Sequence, residues 1–196
     1  KFPTLTEPYR GFHDMVFCEE STTAAFLLRA RREGVRDFGA CMAPFTAFQI
    51  LQGIETLPLR MARHVENTRR IVAFLVTHAL VAGVAYPELP DHPDHALAQR
   101  LLPNGCGAVL SFNLAGTRVQ GRKFIDTLKI FSHLANVGDA KSLVIHPAST
   151  THFRMSAADL ERAGITEGTI RLSVGLEDPD DLIEDLSRAL HAAAKA

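Results

Sequence analysis

Residues 169–176 are the part of this chain that most narrowly limits what it can fold into. Ile170, Leu172, Val174 and Leu176 fall on one side of an extended segment, and Arg171, Ser173 and Gly175 fall on the other. A period of two with one apolar side is that of a strand buried on a single face. The segment leads into Asp178-Pro179-Asp180-Asp181, which supplies an N-cap, a proline at the first helical position and acids in the first turn. Leu182, Ile183, Leu186, Ala189 and Leu190 then recur on one face of the predicted helix. A one-faced strand running into a one-faced helix calls for a sheet covered by helices on one side, an α+β arrangement. It also turns Arg171 away from the core.

The upstream pattern agrees. Ala108, Leu110, Phe112 and Leu114 alternate with Val109, Ser111 and Asn113, which predicts a second half-buried strand ending at Gly116. A helix is predicted around 121–129, followed by short apolar runs at 130–137 and 143–145. Nearer the amino terminus, 22–32 reads as a helix, after which Gly34, Gly39 and Pro44 punctuate the chain. From Phe45 a long helix is predicted, because Ala47, Leu51, Ile54, Leu57, Met61 and Val65 recur at three- and four-residue steps. Pro58 interrupts it. A proline inside a helix costs about 3 kcal/mol, so a kink or break is expected near Leu57, as suits a helix passing between domains.

Composition narrows the class. At 196 residues and 46% apolar content, the chain is one large domain or two small ones with an ample core. A formal charge of −1 without a basic tail provides no footprint for nucleic acid or a membrane surface. No apolar run approaches the ~20 residues of a membrane helix. The first twenty residues hold Glu7, Asp14, Glu19 and Glu20 rather than an apolar signal core. Cys18, Cys41 and Cys106 are odd in number and lack CxxC spacing, which predicts neither a disulfide framework nor a zinc knuckle and fits a reducing cytoplasm. Starting at Lys1 rather than a Met, the chain reads as a piece of something longer.

The chemistry-bearing residues are few. His133, His146 and His152 lie close in sequence, with His64, His78, His92 and His95 upstream, but no HExxH or Cys-bearing spacing joins them, so no metal site is expected. His92 and His95 are placed in a Pro-rich loop, and His152 is expected to close a turn. No GxSxG elbow, GxGxxG or GxxxxGK[ST] occurs. What remains is Arg171 and the polar turn Asn136-Val137-Gly138-Asp139. An Arg on the polar side of a strand is either solvated or a ligand for a carboxylate. Its rigid fork pairs with a carboxylate bidentately, in a contact of order 1.5–3 kcal/mol. Asn136 on its own reads as a turn residue satisfying its own backbone.

The run from Asn136 through Lys141-Ser142-Leu143-Val144-Ile145-His146-Pro147 to Thr151-His152, followed by Arg171-Leu172-Ser173-Val174-Gly175-Leu176-Glu177, resembles the carboxy-terminal half of the pyridoxal-phosphate (PLP) enzymes of Cys and Met metabolism. These include the cystathionine synthases and lyases, methionine lyase and the homoserine-ester sulfhydrylases. Asn-Val-Gly-Asp-Ala-Lys-Ser, where synthases and lyases usually read Ser-Leu-Gly-Gly-x-Glu-Ser, is similar to the O-acetylhomoserine sulfhydrylases. So are Pro8-Tyr9-Arg10-Gly11, Ala43-Pro44-Phe45-Thr46-Ala47-Phe48, Gly53-Ile54-Glu55-Thr56-Leu57 and Arg63-His64-Val65-Glu66-Asn67, although Arg10 stands where relatives carry a His.

The resemblance implies the carboxy-terminal part of a fold type I PLP-dependent transferase. Residues 1–44 would be the tail of the large PLP-binding domain, 45–78 a long interdomain helix, and 79–196 a small domain with a mainly antiparallel sheet covered by helices. It implies replacement of the acetate of O-acetylhomoserine by sulfide, giving homocysteine, in a cytoplasmic tetramer. Arg171 and Asn136 would hold the substrate carboxylate. The Schiff-base lysine would lie upstream in a Ser-x-x-Lys context that this chain lacks, Lys141 being an exposed turn residue, so the chain alone is expected to be inactive. Other readings stay open: an O-succinylhomoserine sulfhydrylase, a cystathionine γ-synthase, a methionine γ-lyase, a non-enzymatic domain binding a small anion or partner through the Arg171 face, or a structural remnant with an empty site.

Overall fold

The computed structural model describes residues 1–196, the side chain of Ala157 excepted, and the chain divides into two compact units, Lys1–Gly53 and Ile54–Ala196. In chain order the helices are α1 (Pro3–Thr6), α2 (Phe17–Glu20), α3 (Ala25–Arg29), α4 (Arg36–Phe38), α5 (Pro44–Glu55), α6 (Leu57–Val76), α7 (His95–Leu101), α8 (Arg118–Thr127), α9 (Ala157–Arg162) and α10 (Pro179–Ala193). The strands are β1 (Val81–Ala85), β2 (Val109–Leu114), β3 (Ser132–His133), β4 (Leu143–Ile145) and β5 (Thr169–Ser173).

The first unit is helical. Phe12 and Phe17 are its buried aromatics, and Tyr9 packs on them with ring centroids 5.7 and 5.9 Å away. The Arg29 guanidinium lies over the Tyr9 ring at 4.9 Å while its Nε donates to Glu33 at 2.6 Å, and the Tyr9 hydroxyl donates to the other Glu33 oxygen at 2.6 Å. The helix expected over 22–32 starts later and runs on: α3 passes into a π-helical turn, Ala30–Val35, and then α4, ending at Gly39 with φ +63°. Glycine suits that left-handed C-cap. No residue of α5 is buried, and Phe38, Phe45, Phe48 and Leu51 are all exposed.

The interruption expected near Leu57 is a break rather than a kink: α5 and α6 are separate helices, parted at Thr56. Pro58 falls in the first turn of α6, where its missing N–H has no intrahelical role and its fixed φ is an advantage. The ladder is therefore interrupted before the proline rather than at it.

The second unit is a five-stranded sheet in the order β1-β2-β5-β4-β3, antiparallel throughout except for the parallel β3–β4 pair. Central β5 buries Ile170 and Leu172 completely, beside Leu110 and Phe112 of β2 and Val144 of β4. That face packs on Ile71 and Leu75 of α6, Phe124 of α8, and Leu182, Leu186 and Leu190 of α10. Asp178 caps α10, its side chain accepting the Asp180 amide at 2.8 Å. The strand predicted over 169–176 stops at Ser173. Beyond it the Val174 amide goes to the Ala108 carbonyl and the Leu176 amide to the Ala140 carbonyl, so the chain leaves the ladder without losing its hydrogen bonds. His95 is not in a loop but opens α7, whereas His92 does lie in the preceding turns. Helix α9 has no apolar periodicity to announce it; the Ser156 hydroxyl caps it through the Asp159 amide.

One buried carboxylate fixes the approach to β3. Asp185 of α10, 1% exposed, accepts the amides of Lys129 (3.0 Å), Ile130 (2.8 Å) and Phe131 (3.3 Å) and pairs with Arg188. Asp185→Ala would leave three amides without their acceptor, that of Phe131 at a buried position. It is expected to lower unfolding free energy by about 2–3 kcal/mol in urea titrations, whereas Asp181→Ala in the exposed first turn should cost under about 1 kcal/mol.

Candidate functional site

The sheet face opposite the core is set by register. Ser111 of β2, Arg171 of β5 and Ile145 of β4 stand side by side, with Val109, Ser173 and Leu143 in the next row and Asn113 beside Thr169 in the one before. Arg171 is the charged residue in these three rows, and it is half-buried. A recess of about 340 Å³ opens beside it, lined by Arg171 together with Ser111, Ile145, Pro147, His152 and Thr169 among others.

The Arg171 Nη2 donates to the carbonyl of Asn136 at 3.2 Å, while Nε is shielded from solvent and has no partner among the described residues. A guanidinium N–H kept from water and unpaired costs on the order of 1–3 kcal/mol, a penalty that an incoming carboxylate would relieve. Asn136 is thus brought to Arg171 through its backbone. Its side-chain oxygen accepts the Val137 amide at 2.9 Å, the role of a turn Asn, and its own amide donates to Leu134 at 3.2 Å. Its side-chain NH₂ is exposed and makes no hydrogen bond among the described residues. Gly138 has φ +74°, the left-handed region, and a Cβ there would meet open space, so conformation and not crowding favours glycine. Its amide reaches the Ser173 hydroxyl at 3.4 Å.

The loop 134–142 that carries Asn136 is fastened to the exit of β5. Glu177 accepts both the amide and the hydroxyl of Ser142, at 2.7 and 2.8 Å, and the Ser142 hydroxyl accepts the Gly175 amide at 2.8 Å. From the other side α6 supplies His64, whose Nδ1 donates to the Val174 carbonyl at 2.7 Å, and Asn67, whose NH₂ donates to the carbonyls of Gly175 (3.0 Å) and Glu177 (2.8 Å). His64 and Asn67 belong to a quoted motif, yet periodicity carries no sign of what they do, because their partners lie more than a hundred residues away. Lys141 is an exposed turn residue whose amide bonds Asp139. His152 lines the recess, its amide closing a turn onto Pro147 at 2.9 Å.

Whether these residues could hold PLP is decided by what surrounds Arg171. None of the five lysines, Lys1, Lys123, Lys129, Lys141 and Lys195, lines the recess, so the residues there provide no amine for the cofactor aldehyde. They fit a carboxylate instead.

A family model for the Cys/Met metabolism PLP-dependent enzymes matches residues 11–191. The chain belongs to this family. It is 46% identical over 190 residues to O-acetyl-L-homoserine sulfhydrylase 1 of Thermus thermophilus, covering 97% of this chain and 45% of the relative. It is 46% identical over 193 residues to homocysteine synthase of Schizosaccharomyces pombe, with 98% and 45% covered. Among solved structures, a Campylobacter jejuni protein assigned as an O-acetylhomoserine (thiol)-lyase, containing N'-pyridoxyl-lysine-5'-monophosphate, superposes with TM-score 0.82 at 38% identity over 96% of this chain and 45% of that one. Cystathionine γ-synthase of Xanthomonas oryzae pv. oryzae in complex with cystathionine follows at TM-score 0.74 and 42% identity, covering 81% and 41%. The chain therefore spans about half the length of the relatives it matches.

His146, at the end of β4, is 1% exposed and bonded at both nitrogens, to the Ser149 hydroxyl and to the Glu167 carbonyl, each at 2.7 Å. Burial pushes its pKa below the ordinary value. A His with a depressed folded pKa contributes stability in full above the unfolded value near 6.5, and loses it as pH falls, because the unfolded chain takes up the proton first. Melting temperature is thus expected to drop between about pH 6.5 and 5.5, and to drop less steeply in His146→Gln. Equal slopes would show that His146 titrates alike in both states.

Proposed function

We propose that this chain is the carboxy-terminal portion of a PLP-dependent O-acetylhomoserine sulfhydrylase, which replaces the acetate of O-acetylhomoserine with sulfide to give homocysteine. On this reading 1–44 is the tail of the large cofactor-binding domain, 45–78 the interdomain segment, made of α5 and α6, and 79–196 the small domain. The observation that carries the site assignment is the unpartnered, shielded Arg171 Nε beside a recess, on a half-buried guanidinium already held by the Asn136 carbonyl. PLP, which supplies an electron sink for charge developing at the substrate Cα, would be held by the remainder of the longer protein.

The part played here is orientation. A forked guanidinium with a defined tilt fixes both oxygens of a carboxylate, and hence the directions of the bonds at the neighbouring Cα. Asn136, whose backbone carbonyl Arg171 already holds, would supply further donors to the same carboxylate. The exposed Phe38, Phe45, Phe48, Leu51 and Ile54 support a covering partner in the longer protein, which we take to be the large domain and neighbouring subunits of a tetramer. Among the described residues no helix is long and apolar enough to cross a membrane, and a cytoplasmic location is inferred from the unpaired cysteines.

The test is steady-state kinetics of the full-length enzyme with O-acetylhomoserine and sulfide. Arg171→Lys keeps the charge and loses the planar fork, so kcat/KM is expected to fall at least ~10-fold, about 1.4 kcal/mol, with folding and PLP content little changed. Arg171→Ala should do worse. Arg122→Ala, on the exposed side of α8, should be nearly silent. Activity of Arg171→Ala equal to that of the unaltered enzyme would remove the site assignment.

A further inference from the structure

The loop that carries Asn136 has little within it to fix its distance from β5. Residues 134–141 include no buried side chain, and the bonds within the loop are local: the Asn136 amide to Leu134, the Val137 amide to the Asn136 side chain, the Lys141 amide to Asp139. Across the gap to β5 run the Arg171 contact itself and the 3.4 Å reach of Gly138 to Ser173, which is long for a hydrogen bond. The short bonds all sit at one junction at the loop's end. There the Glu177 carboxylate spans the Ser142 amide and hydroxyl, the Ser142 hydroxyl takes the Gly175 amide, and the Ala140 carbonyl takes the Leu176 amide at 2.9 Å.

The junction is closed to substitution. Ser142 is wholly buried, with its hydroxyl both donating and accepting. A Cβ on Gly175 would stand 2.4 Å from Glu177 Oε2 and 2.5 Å from both the Ala140 carbonyl oxygen and the Ser142 nitrogen, so Gly175 is required for the carboxylate to reach in. Asn67 and His64 of α6 hold the carbonyls of Val174, Gly175 and Glu177 from behind, so the strand exit cannot drift away from the loop. None of these side chains lines the recess.

We propose that Glu177 and Ser142 are positioning residues for the carboxylate grip: their junction fixes where the Asn136 loop stands relative to the Arg171 fork. The proposal rests on the reading of Arg171 as the carboxylate ligand. Without the Ser142 hydroxyl, the Gly175 amide loses its acceptor and the Glu177 carboxylate one of its donors, and the loop keeps only the Ala140–Leu176 backbone bond and the Ser142 amide bond to Glu177 beside its local ones. The grip then loosens while the rest of the sheet, packed on its other face, stays in place.

The experiment is a double-mutant cycle in the full-length holoenzyme, reading KM for the amino-acid substrate, kcat, bound PLP and melting temperature for Ser142→Ala, Arg171→Lys and the pair. Ser142→Ala is expected to raise KM about 10-fold while kcat and PLP content change less than about 2-fold. In the pair, the Ser142 change should add less than about 2-fold to the loss from Arg171→Lys, because the grip it serves is already broken. Glu177→Gln keeps one oxygen for the Ser142 amide and should show a smaller effect of the same kind, which stands in if Ser142→Ala does not fold. Multiplying effects in the pair, an unchanged KM, or a fall in kcat and PLP content without a KM change would each overturn the positioning role. A silent Arg171→Lys would overturn the carboxylate reading itself and the positioning role with it.

Discussion

The second unit depends on the unequal sides of β5. As the central strand, it buries Ile170 and Leu172 completely against α6, α8 and α10, at roughly 2 kcal/mol or more of hydrophobic stabilisation per side chain. A slip of one residue in register would bury the Arg171 guanidinium in that core and expose both apolar side chains. The same alternation that stabilises the sheet therefore aims Arg171 at the opposite face and keeps it there. Placing Arg171 on a rigid central strand, rather than on a loop, gives its fork a defined direction.

Much of this was legible. Periodicity located β2 and β5 within a few residues, the Asp178-Pro179 signal placed the start of α10, and a break near Leu57 was readable from Pro58. The α+β architecture with a mainly antiparallel sheet follows from those elements, and the family follows from the quoted motifs, as the match over residues 11–191 bears out. Period-based reading failed where local pattern is weak. The two-residue β3 pairs in parallel with β4, held from behind by Asp185, and the π-helical turn Ala30–Val35 has no sequence signature distinct from an α-helix.

The candidate site was legible as residues but not as an arrangement. Arg171 could be assigned to the polar face from spacing alone. That Asn136 meets it through the backbone carbonyl, with its side chain occupied in its own turn, depends on the loop's conformation. Likewise Ser142, Glu177, His64 and Asn67 act through bonds that span 33 to 110 positions along the chain, a separation no local pattern encodes. Polar residues on a buried junction are conspicuous only once the fold has brought them together, since each one read alone is an ordinary surface or turn residue.

The central claim is that Arg171 holds a carboxylate on the outer face of the sheet. The most direct measurement is a crystal structure of the full-length holoenzyme with a substrate analogue bearing an α-carboxylate. Two guanidinium nitrogens of Arg171 should then each lie about 2.7–2.9 Å from a carboxylate oxygen, with the Nε that is unpaired here taken up, directly or through the accompanying turn of the fork. A carboxylate held by other residues, with Arg171 still bonded only to the Asn136 carbonyl, would contradict it.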